Sequence, residues 1–361
     1  MVDDSRPSPL SARSNRDVSQ TGTQSFPSPP DGKQGWPWTG DDDHTPLAPP
    51  ARNDARPKVT VITPSFNQGR FLEETIRSVV LQNYTNLEYI IIDGGSTDES
   101  VEIIRHYEPW ISHWVSEADD GQADALNKGF DRASGEFLCW LNADDVIYQG
   151  FIAHRVEEFS VRPQIDMIYG DVHSGWDNDT RGVLRGEPLS FLDMLRTLRV
   201  SIPQQSSMWR KTVVDRVGGL DPRWHVVLDR EFFLRIARHS RIEYIPGTCG
   251  YFRQHGTAKS VAEKTTWVTE LPLMYSELFT TENLTPAEKR LKRETMAATH
   301  LLCAEILRSL RDWTGFLRHL GHAIRWSPRH ALIDYPGARF QGLRRRLGHR
   351  SSDTNTGGSG I

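Results

Sequence analysis

The sequence predicts an α/β fold built on a mainly parallel sheet with helices on both faces, followed by a helical region near the C-terminus. Between residues 59 and 141, short apolar runs alternate with segments whose apolar residues recur every three or four positions. The short runs are typical of strands covered on both faces, whereas the longer spacing is typical of amphipathic helices. Strands and helices in alternation favour right-handed crossovers and therefore parallel pairing.

The first predicted unit begins at Val59. Residues 59–63 form an apolar run, residues 64–69 form its polar exit loop, and Leu72 and Ile76 begin the apolar face of a helix. The segment is therefore predicted to be a strand followed by an amphipathic helix.

The second unit contains the apolar run 89–92, which ends at Asp93 and is followed by two glycines. Ser96 with Glu99 three residues later has the form of a capping box, so a helix is predicted to begin there. The predicted order is strand, acidic residue, glycine turn and helix.

The next two strands are separated by another helix. Residues 111–115 suit a short strand, residues 116–122 a polar loop, and Leu126 with Phe130 marks the helix. The apolar run 137–141 then ends abruptly in Asn142, Ala143, Asp144 and Asp145.

Acidic side chains thus follow two predicted strands at the points where those strands end. Ligands of open α/β sheets bind at the carboxyl ends of the strands, so Asp93 and Asp144 are expected to lie on one binding edge. Clustered oxygen ligands suit Mg²⁺ or Mn²⁺ held against phosphate oxygens. This pattern favours a metal-dependent nucleotide enzyme, and the alternative is that residues 142–145 form a polar turn that only caps a strand.

Composition limits the class of protein. The 361 residues, 37% of them hydrophobic, can bury one large core and a smaller helical region. Three cysteines, Cys139, Cys249 and Cys303, show no metal spacing, which favours a reducing cytoplasm. A net charge of -4 gives no sign of a nucleic-acid surface, and no apolar run reaches the roughly 18 residues of a membrane span.

Four blocks in sequence resemble those of a family 2 glycosyltransferase with the GT-A fold. They are residues 63–67, 92–98, 124–129 and 142–145, and four blocks in order are more specific than any single motif. The resemblance implies transfer of a sugar from a nucleotide diphosphate donor to the hydroxyl of a glycan, a lipid-linked molecule or another acceptor, with inversion. It also implies Mg²⁺ or Mn²⁺ as the cofactor, and UDP is the commonest nucleotide of the family.

The same resemblance assigns roles to individual residues. Asp144 matches the metal-binding second acid of the family's paired-acid motif, Asn142 stands where the first acid is usual, and Asp145 is then a supporting residue. An amide at position 142 brings no charge, so weaker metal binding is expected. The residues matched to donor binding are Pro64, Ser65, Asn67, Asp93, Gly94, Ser96, Asp124, Asn127 and Asn142.

The acceptor half resembles family segments that supply a general base and close over the diphosphate. Asp229 matches the base, which takes the proton of the attacking hydroxyl. Leu228 replaces the usual preceding Glu, so Glu231 stays open as a second candidate, and both acids could instead be first-turn residues favoured by the helix dipole. The supporting candidates are Gln204 and Gln205 near the acceptor, with Arg253, His255 and Lys259 near the diphosphate.

The chain is predicted to divide into a tail, a catalytic domain, a helical region and a second tail. The N-terminal segment is rich in Ser, Pro, Asp and Gly and is expected to be disordered. The predicted regions are a disordered tail at 1–56, a GT-A domain at 57–262 (nucleotide-binding half 57–150, acceptor half 151–262), a helical region at 263–345 and a flexible tail at 346–361.

The helical region leaves two interpretations open. A helix at about 313–326 carries basic residues, and three consecutive arginines follow at 344–346. These can form a solvated basic face on a helical hairpin, or they can attract anionic lipid and hold the protein at the inner face of the membrane.

Two alternative functions stay open at this point. A nucleotidyltransferase also uses paired acids and a metal, but residues 64–69 are a poor match to its glycine-rich basic loop. A catalytically silent binding module is the other alternative, made conceivable by the departures at Asn142 and Leu228.

Overall fold

The computed structural model describes residues 26–39, 56–177, 179–280 and 284–334. These fall into two compact units. The first contains the described residues up to Pro188 together with Val200–Ala262, and the second contains Leu189–Arg199 with the described residues from Glu263 onward. The predicted tail at 346–361 and residues 1–25 and 40–55 of the predicted N-terminal tail lie outside the described residues.

The described strands run in chain order from β1 to β9. They are β1 Val59–Ser65, β2 Leu87–Asp93, β3 His113–Ser116, β4 Phe137–Trp140, β5 Val146–Ile147, β6 Met167–Trp176, β7 Asp179–Leu184, β8 Met208–Arg210 and β9 Ile242–Gln254.

The described α-helices are numbered in the same way. They are α1 Gly69–Val80, α2 Ser100–His106, α3 Gln122–Arg132, α4 Phe151–Val161, α5 Phe191–Thr197, α6 Lys211–Val217, α7 Leu228–His239, α8 Lys259–Ala262, α9 Lys264–Leu278, α10 Pro286–Ser309 and α11 Trp313–Trp326.

One sheet organises the first unit, in the order β3-β2-β1-β4-β8-β6-β9-β5, with β7 paired to β6. The pairings among β1, β2, β3 and β4 are parallel, and so is the pairing of β6 with β9. Strand β8 is antiparallel to both β4 and β6 and joins the two halves. The predicted α/β fold with a mainly parallel sheet is confirmed.

Helices cover both faces of this sheet. Successive side chains of a strand point to opposite faces, so neighbouring residues contact different helices. Val61 of β1 belongs to the same buried cluster as Leu72 and Ile76 of α1. The neighbouring Ile62 points the other way, toward α3, where a Cβ on Gly129 would lie 2.5 Å from its Cγ2 atom. Only glycine permits so close an approach of α3 to the sheet.

An aromatic cluster fixes α7 against the sheet. Trp140, at the end of β4, stacks on Phe233 of α7 with ring centroids 5.7 Å apart. Trp209 of β8 is fully buried and lies edge-on to Trp140 at 5.6 Å. Trp209 is therefore a core residue, and the second turn of α7 is held against the end of β4.

Residues 26–39 pack on the first unit, so the prediction of a disordered tail over residues 1–56 is wrong for this segment. Arg77 of α1 is only 3% exposed. It donates to the carbonyl oxygens of Pro27 and Pro37 at 2.8 and 3.2 Å. A guanidinium buried in this way needs such partners, and the N-terminal segment supplies them.

Aromatic residues complete the contact. The Arg77 guanidinium lies 4.8 Å from the ring centre of Phe26 and 5.3 Å from that of Trp38. Trp36 donates its Nε1–H to the carbonyl oxygen of Ile147 in β5 at 2.8 Å. These aromatic residues have no apolar periodicity of their own, because their partners lie on distant elements.

The second unit is helical, and the predicted C-terminal helices are present. Thr285 and Glu288 form a capping box at the start of α10, and α11 packs along α10. Helix α5 belongs to this unit, although the sequence placed it within the acceptor half. The Thr295 hydroxyl of α10 donates to the carbonyl oxygen of Leu195 at 3.0 Å, which fixes α5 there. Among the described helices, none combines the length and apolar character needed to cross a membrane.

Candidate functional site

Four loops meet at one edge of the sheet, where β1, β2, β3 and β4 end. The Gly94 N–H donates to the Ser65 carbonyl oxygen at 2.8 Å, and the Glu117 N–H donates to the Asp93 carbonyl oxygen at 3.0 Å. Parallel pairing forces this arrangement, because all four chains run in the same direction. The predicted donor residues of these loops therefore gather at one edge.

Asp93, the last residue of β2, is fully buried. Its Oδ2 accepts hydrogen bonds from the Gly95 and Ser96 N–H groups at 3.2 and 2.9 Å and from the Ser116 hydroxyl at 2.7 Å. Its Oδ1 accepts from the Ser96 hydroxyl at 2.6 Å. Asp93 thus shapes the glycine turn, and the predicted contact of its carboxylate with a base requires that the side chain be uncovered.

The exit loops of β1 and β2 are tied together. The Asn67 N–H donates to Ser96 Oγ at 2.8 Å, and the Thr97 N–H donates to Asn67 Oδ1 at 2.9 Å. Ser96 is therefore not the helix cap that its spacing predicts. Helix α2 begins later, at Ser100, whose N–H donates to the Asp98 carboxylate at 3.0 Å.

The end of β1 presents a buried polar atom that has no hydrogen-bond partner among the described residues. Pro64 is buried opposite Ile92 of β2. Ser65 is only 4% exposed, and its hydroxyl makes no hydrogen bond to the part of the chain that the structure describes. A buried hydroxyl without a partner is costly, so Ser65 Oγ is placed where a ligand would satisfy it.

Gly94 makes the turn after β2 narrow. A Cβ at this position would lie 2.8 Å from Oδ2 of Asp119 in the loop before α3. Burial raises the pKa of Asp119. The turn and this loop can therefore approach each other only with glycine at position 94.

Asp144, the predicted metal ligand, lies beside His255, one of the supporting candidates. The Asp144 side chain is 19% exposed, and its Oδ2 lies 3.0 Å from Nε2 of His255. Nδ1 of His255 lies 2.9 Å from the Thr257 hydroxyl, and the ring packs on Phe71 with centroids 4.6 Å apart. The imidazole is thus fixed on both sides with one nitrogen turned to the acid.

Asp145 is buried behind Asp144, with 1% of its surface exposed. Its carboxylate accepts from the Arg253 N–H at 2.9 Å, from Gln205 Nε2 at 2.7 Å and from Asn142 Nδ2 at 3.3 Å. Burial and the adjacent Asp144 carboxylate raise the pKa of Asp145. Asp145 and Gln205 thus hold the loop from inside rather than facing a ligand.

A chain of contacts links residues 142–145 to the segment just before α7. Asn142 Oδ1 accepts from Gln122 Nε2 at 2.8 Å, and Gln122 Oε1 accepts from Lys259 Nζ at 3.3 Å. Lys259 also donates to the carbonyl oxygen of His225, three residues before α7, at 3.4 Å. Lys259 is therefore placed between the two halves of the site.

Asp229 lies in the first turn of α7 and is partly exposed. Burial raises its pKa, although the hydrogen bond from the Arg230 N–H at 2.7 Å and the positive charges of Arg230 and Lys259 oppose this effect. A carboxylate with a raised pKa is a better proton acceptor than an ordinary one. The preceding Leu228 is buried and does not enter the site.

Glu231, the second candidate base, has its carboxylate paired with Arg235. Its two carboxylate oxygens accept from Nε and Nη2 of Arg235 at 2.8 and 2.7 Å. Arg235 also donates to the carbonyl oxygen of Gly219 at 2.8 Å. This paired arrangement anchors α7 to the preceding loop, so the geometry favours Asp229 over Glu231 as the base.

Arg253 does not take the position expected of a diphosphate ligand. It is 1% exposed, and its three guanidinium nitrogens donate to the carbonyl oxygens of Asp177 and Asp144 and to the Glu74 carboxylate, at 3.2, 2.8 and 3.0 Å. Arg253 and Glu74 line a separate cleft of about 410 Å³ beside residues 32–38, whose walls include none of the predicted catalytic or metal acids. The predicted role of Arg253 is therefore corrected to support of the Asp144 loop.

Other predicted donor contacts are structural in the same way. Asn127 donates to the Leu220 carbonyl oxygen and accepts from the Leu220 N–H, both at 2.8 Å. Asp124 pairs with Lys128 at 3.2 Å. Gln204, predicted to lie near the acceptor, is likewise buried and donates to the carbonyl oxygen of Trp140. The predicted contacts of Asn127 with ribose or diphosphate are therefore not supported, because both ends of its amide are engaged by Leu220.

We expect Asn127→Ala to lower the free energy of unfolding by about 2 kcal/mol, since it leaves both backbone groups of Leu220 without partners. The Michaelis constant for the donor should stay unchanged. Denaturant unfolding and donor titration would measure both quantities. Lys128→Ala, in the same helix, is the control and should cost less than about 1 kcal/mol because surface ion pairs are weak. A variant with parental stability and a raised Michaelis constant would show that Asn127 binds the donor.

Two residues of the site were missed by the sequence analysis. Gln122 opens the helix that carries the third family block, yet only its contacts with Asn142 and Lys259 show its place. Thr75 of α1 donates to the carbonyl oxygens of Ala143 and Asp145 at 3.0 and 2.8 Å and so supports the same loop. Neither residue has a local signal, because both act on segments distant in sequence.

The residues present fit a divalent cation that is held jointly with a ligand. No group of three or more His, Cys, Asp or Glu side chains among the described residues is arranged to hold a metal by itself. However, Mg²⁺ and Mn²⁺ often take one or two protein ligands and complete their coordination with phosphate oxygens and water. Asp144 and His255 offer one oxygen and one nitrogen side by side for such an ion.

Comparison with protein families matches residues 60–219 to the model described as glycosyl transferase family 2. An uncharacterized glycosyltransferase of Mycobacterium tuberculosis is 37% identical over 186 residues, which are 50% of this chain and 69% of that protein. A PGL/p-HBAD biosynthesis glycosyltransferase of Mycobacterium bovis is 30% identical over 186 residues, or 50% and 70% of the two chains.

Solved structures with the same fold were also found. TarS of S. aureus (residues 1–349), in complex with UDP-GlcNAc, has a TM-score of 0.58 and 18% identity over 76% of this chain and 82% of that one. The mannosyltransferase PcManGT of Pyrobaculum calidifontis, in complex with GDP-Man and Mn²⁺, has a TM-score of 0.52 and 19% identity over 83% and 82% of the two chains. At this level of identity the likeness shows a shared GT-A type fold.

Proposed function

Since this chain belongs to glycosyl transferase family 2, we propose that it moves a sugar from a UDP-sugar to an acceptor hydroxyl, with a divalent metal and inversion by single displacement. The acceptor is a glycan, a lipid-linked molecule or another hydroxyl compound. The observation that carries the proposal is that Gln122 bonds both Asn142, two residues before Asp144, and Lys259, whose positive charge acts on Asp229. These contacts support a single site that contains both a metal-binding acid and a general base.

Asp229 is proposed as the general base. An acceptor hydroxyl is a weak nucleophile until its proton leaves, and the raised pKa of Asp229 suits it to take that proton. As the oxygen of the hydroxyl bonds to the anomeric carbon, the bond from that carbon to the diphosphate oxygen breaks. The proton stays on Asp229, and the electron pair leaves with the nucleotide.

Asp144 and His255 are proposed to hold Mg²⁺ or Mn²⁺, which when bound neutralises the charge that develops on the departing diphosphate. Lys259 lies beside Gln122, on the same side of the site, and supplies a further positive charge. Asn142 orients Gln122 through the hydrogen bond at 2.8 Å. Thr257 and Phe71 fix the His255 ring.

The nucleoside is proposed to bind at the ends of β1 and β2. Ser65 offers a buried hydroxyl that no described residue pairs with, and Asn67 and Ser96 bring the two exit loops together. UDP is the preferred nucleotide because a structural neighbour was solved with UDP-GlcNAc. A second neighbour was solved with GDP-Man and Mn²⁺, so GDP is the nucleotide to compare first.

We propose that the protein works in the cytoplasm. The described chain has three free cysteines, of which Cys139 and Cys303 are buried. Burial raises the pKa of each of these two thiols to about 12, which keeps them protonated and unreactive. A reducing compartment suits such a chain.

Thermal stabilisation of the full chain by UDP, GDP, UDP-GlcNAc and GDP-Man, each with and without Mn²⁺, tests the donor site. We expect one UDP compound to raise the melting temperature only with Mn²⁺, since a ligand at 100 times its dissociation constant adds about 2.7 kcal/mol of stability. A shift in melting temperature with GDP compounds but not with UDP compounds would assign GDP as the nucleotide of the donor. No shift from any pair would favour the silent binding module.

A further inference from the structure

Helix α11 of the second unit has one face turned inward and one outward. Gly315, His319 and Ala323, spaced four residues apart, are buried. Ala323 belongs to a small apolar cluster with Leu301 of α10. The inward face of α11 is therefore packed against its own unit, and its opposite face is exposed in the described part of the chain.

The outward face carries large apolar side chains that are exposed. Trp313 is 59% exposed and Leu317, one turn later, is 63% exposed, while Leu310 just before the helix is 42% exposed. A single exposed apolar residue is ordinary, but a tryptophan and two leucines in succession are not. Burying such a surface requires an apolar or interfacial environment.

Basic residues flank this apolar stripe. Arg318 and Arg325 are exposed on the outward face. At 3.6 residues per turn they lie roughly 110° around the helix from Trp313 and Leu317. Residues 313–326 contain two arginines and no Asp or Glu, although the whole chain has a net charge of -4. The outward face is thus locally basic on a protein that is acidic overall.

We propose that this outward face of α11 docks the chain on an anionic lipid bilayer. Trp313 and Leu317 enter the interfacial region of the bilayer, and Arg318 with Arg325 binds the headgroup phosphates. The long arginine side chains reach the headgroups while their stems lie along the apolar surface. Docking rests on this helix alone and does not depend on the proposed reaction.

Sedimentation of the full-length protein with vesicles tests the proposal. The vesicles are pure phosphatidylcholine, or a 70:30 mixture of phosphatidylcholine and phosphatidylglycerol, each at low and high salt. We expect binding to the mixture at low salt, weak binding at high salt because salt screens the arginines, and little binding to phosphatidylcholine alone. Absence of binding to the anionic vesicles at low salt would overturn the proposal.

Variants separate the two contributions. Trp313→Ala with Leu317→Ala should weaken binding at least about tenfold through lost apolar burial. Arg318→Ala with Arg325→Ala should weaken it by about 25-fold, or about fivefold for each arginine. Both double variants should keep the far-ultraviolet circular dichroism and melting temperature of the parent, since the substituted residues are exposed.

Val161→Ala is the matched control, because Val161 of α4 is 68% exposed and lies in the first unit. It should bind vesicles like the parent. Equal vesicle binding by all variants would show that another surface contacts the bilayer, and it would overturn the assignment to α11. A concentration-dependent dimer that the Trp313 and Leu317 variant abolishes, with no vesicle binding, would assign the face to a second copy of the chain instead.

Discussion

Replacing Asp229 with Asn is expected to lower the turnover number by about 10³-fold while raising the melting temperature. A positioned general base typically contributes 10² to 10⁴ in rate, and Asn cannot take the proton. The stability change has the opposite sign because burial raises the pKa of Asp229, so the charged carboxylate is disfavoured in the fold. Asn keeps the hydrogen bond from the Arg230 N–H and removes that charge.

The raised pKa of Asp229 also predicts that stability and turnover depend on pH. A carboxyl group whose pKa is higher in the folded state than in the unfolded state binds more protons when folded, so stability falls as pH rises between the two values. The difference in melting temperature between parent and Asp229→Asn should therefore grow as pH rises through this range and then level off. Turnover of the parent should fall as pH drops through the raised pKa, since the base is then protonated.

Glu231→Gln is the matched control for Asp229→Asn, because it removes one negative charge from the same helix turn. Glu231 holds Arg235 through two hydrogen bonds, so its loss should lower the melting temperature and leave most of the activity. Steady-state kinetics and thermal unfolding of the two variants give the comparison. Near-parental turnover in Asp229→Asn, or a larger loss in Glu231→Gln, would show that the base is assigned wrongly.

The alternating part of the sheet was predictable because its sequence signals are local. Residues 89–92 and 137–141 are apolar runs of strand length, and each ends in the polar residues that mark the binding edge. The N-terminal segment had no such signal. Phe26 and Trp38 both pack on Arg77, and Phe26 also packs on Tyr107 and Trp110. These partners are distant in sequence, so composition alone indicated a tail.

The site was only partly predictable, for a related reason. Block similarity identifies residue types at positions near the donor, but it does not say which polar groups form hydrogen bonds within the protein. Arg253 pairs with Glu74, 179 residues away in sequence, and Asn127 pairs with Leu220, 93 residues away. Residues paired in this way stabilise the protein instead of binding a ligand. The pairings form only when the fold brings the partners together.

Replacing Asp144 with Asn is expected to remove metal-dependent donor binding and to lower kcat/KM by at least about 10³-fold, which corresponds to about 4 kcal/mol of lost charge stabilisation. Asn keeps an oxygen near His255 but brings no charge to a divalent ion. Asn142 supplies none either, so Asp144 is the only charged oxygen ligand that reaches the surface of residues 142–145 in the described chain. Titration of UDP in the presence and absence of Mn²⁺ measures the binding directly.

The Asp144→Asn variant should remain folded, and it should be no less stable than the parent. Asp144 raises the pKa of the buried Asp145, so removing its charge relieves a repulsion within the loop. Asp131→Asn, on the exposed end of α3, makes the same change of charge away from the site and should keep parental activity. If Asp144→Asn bound UDP with Mn²⁺ as tightly as Asp131→Asn does, the metal would have to be held elsewhere, and the proposed role of the Asp144 and His255 pair would fall.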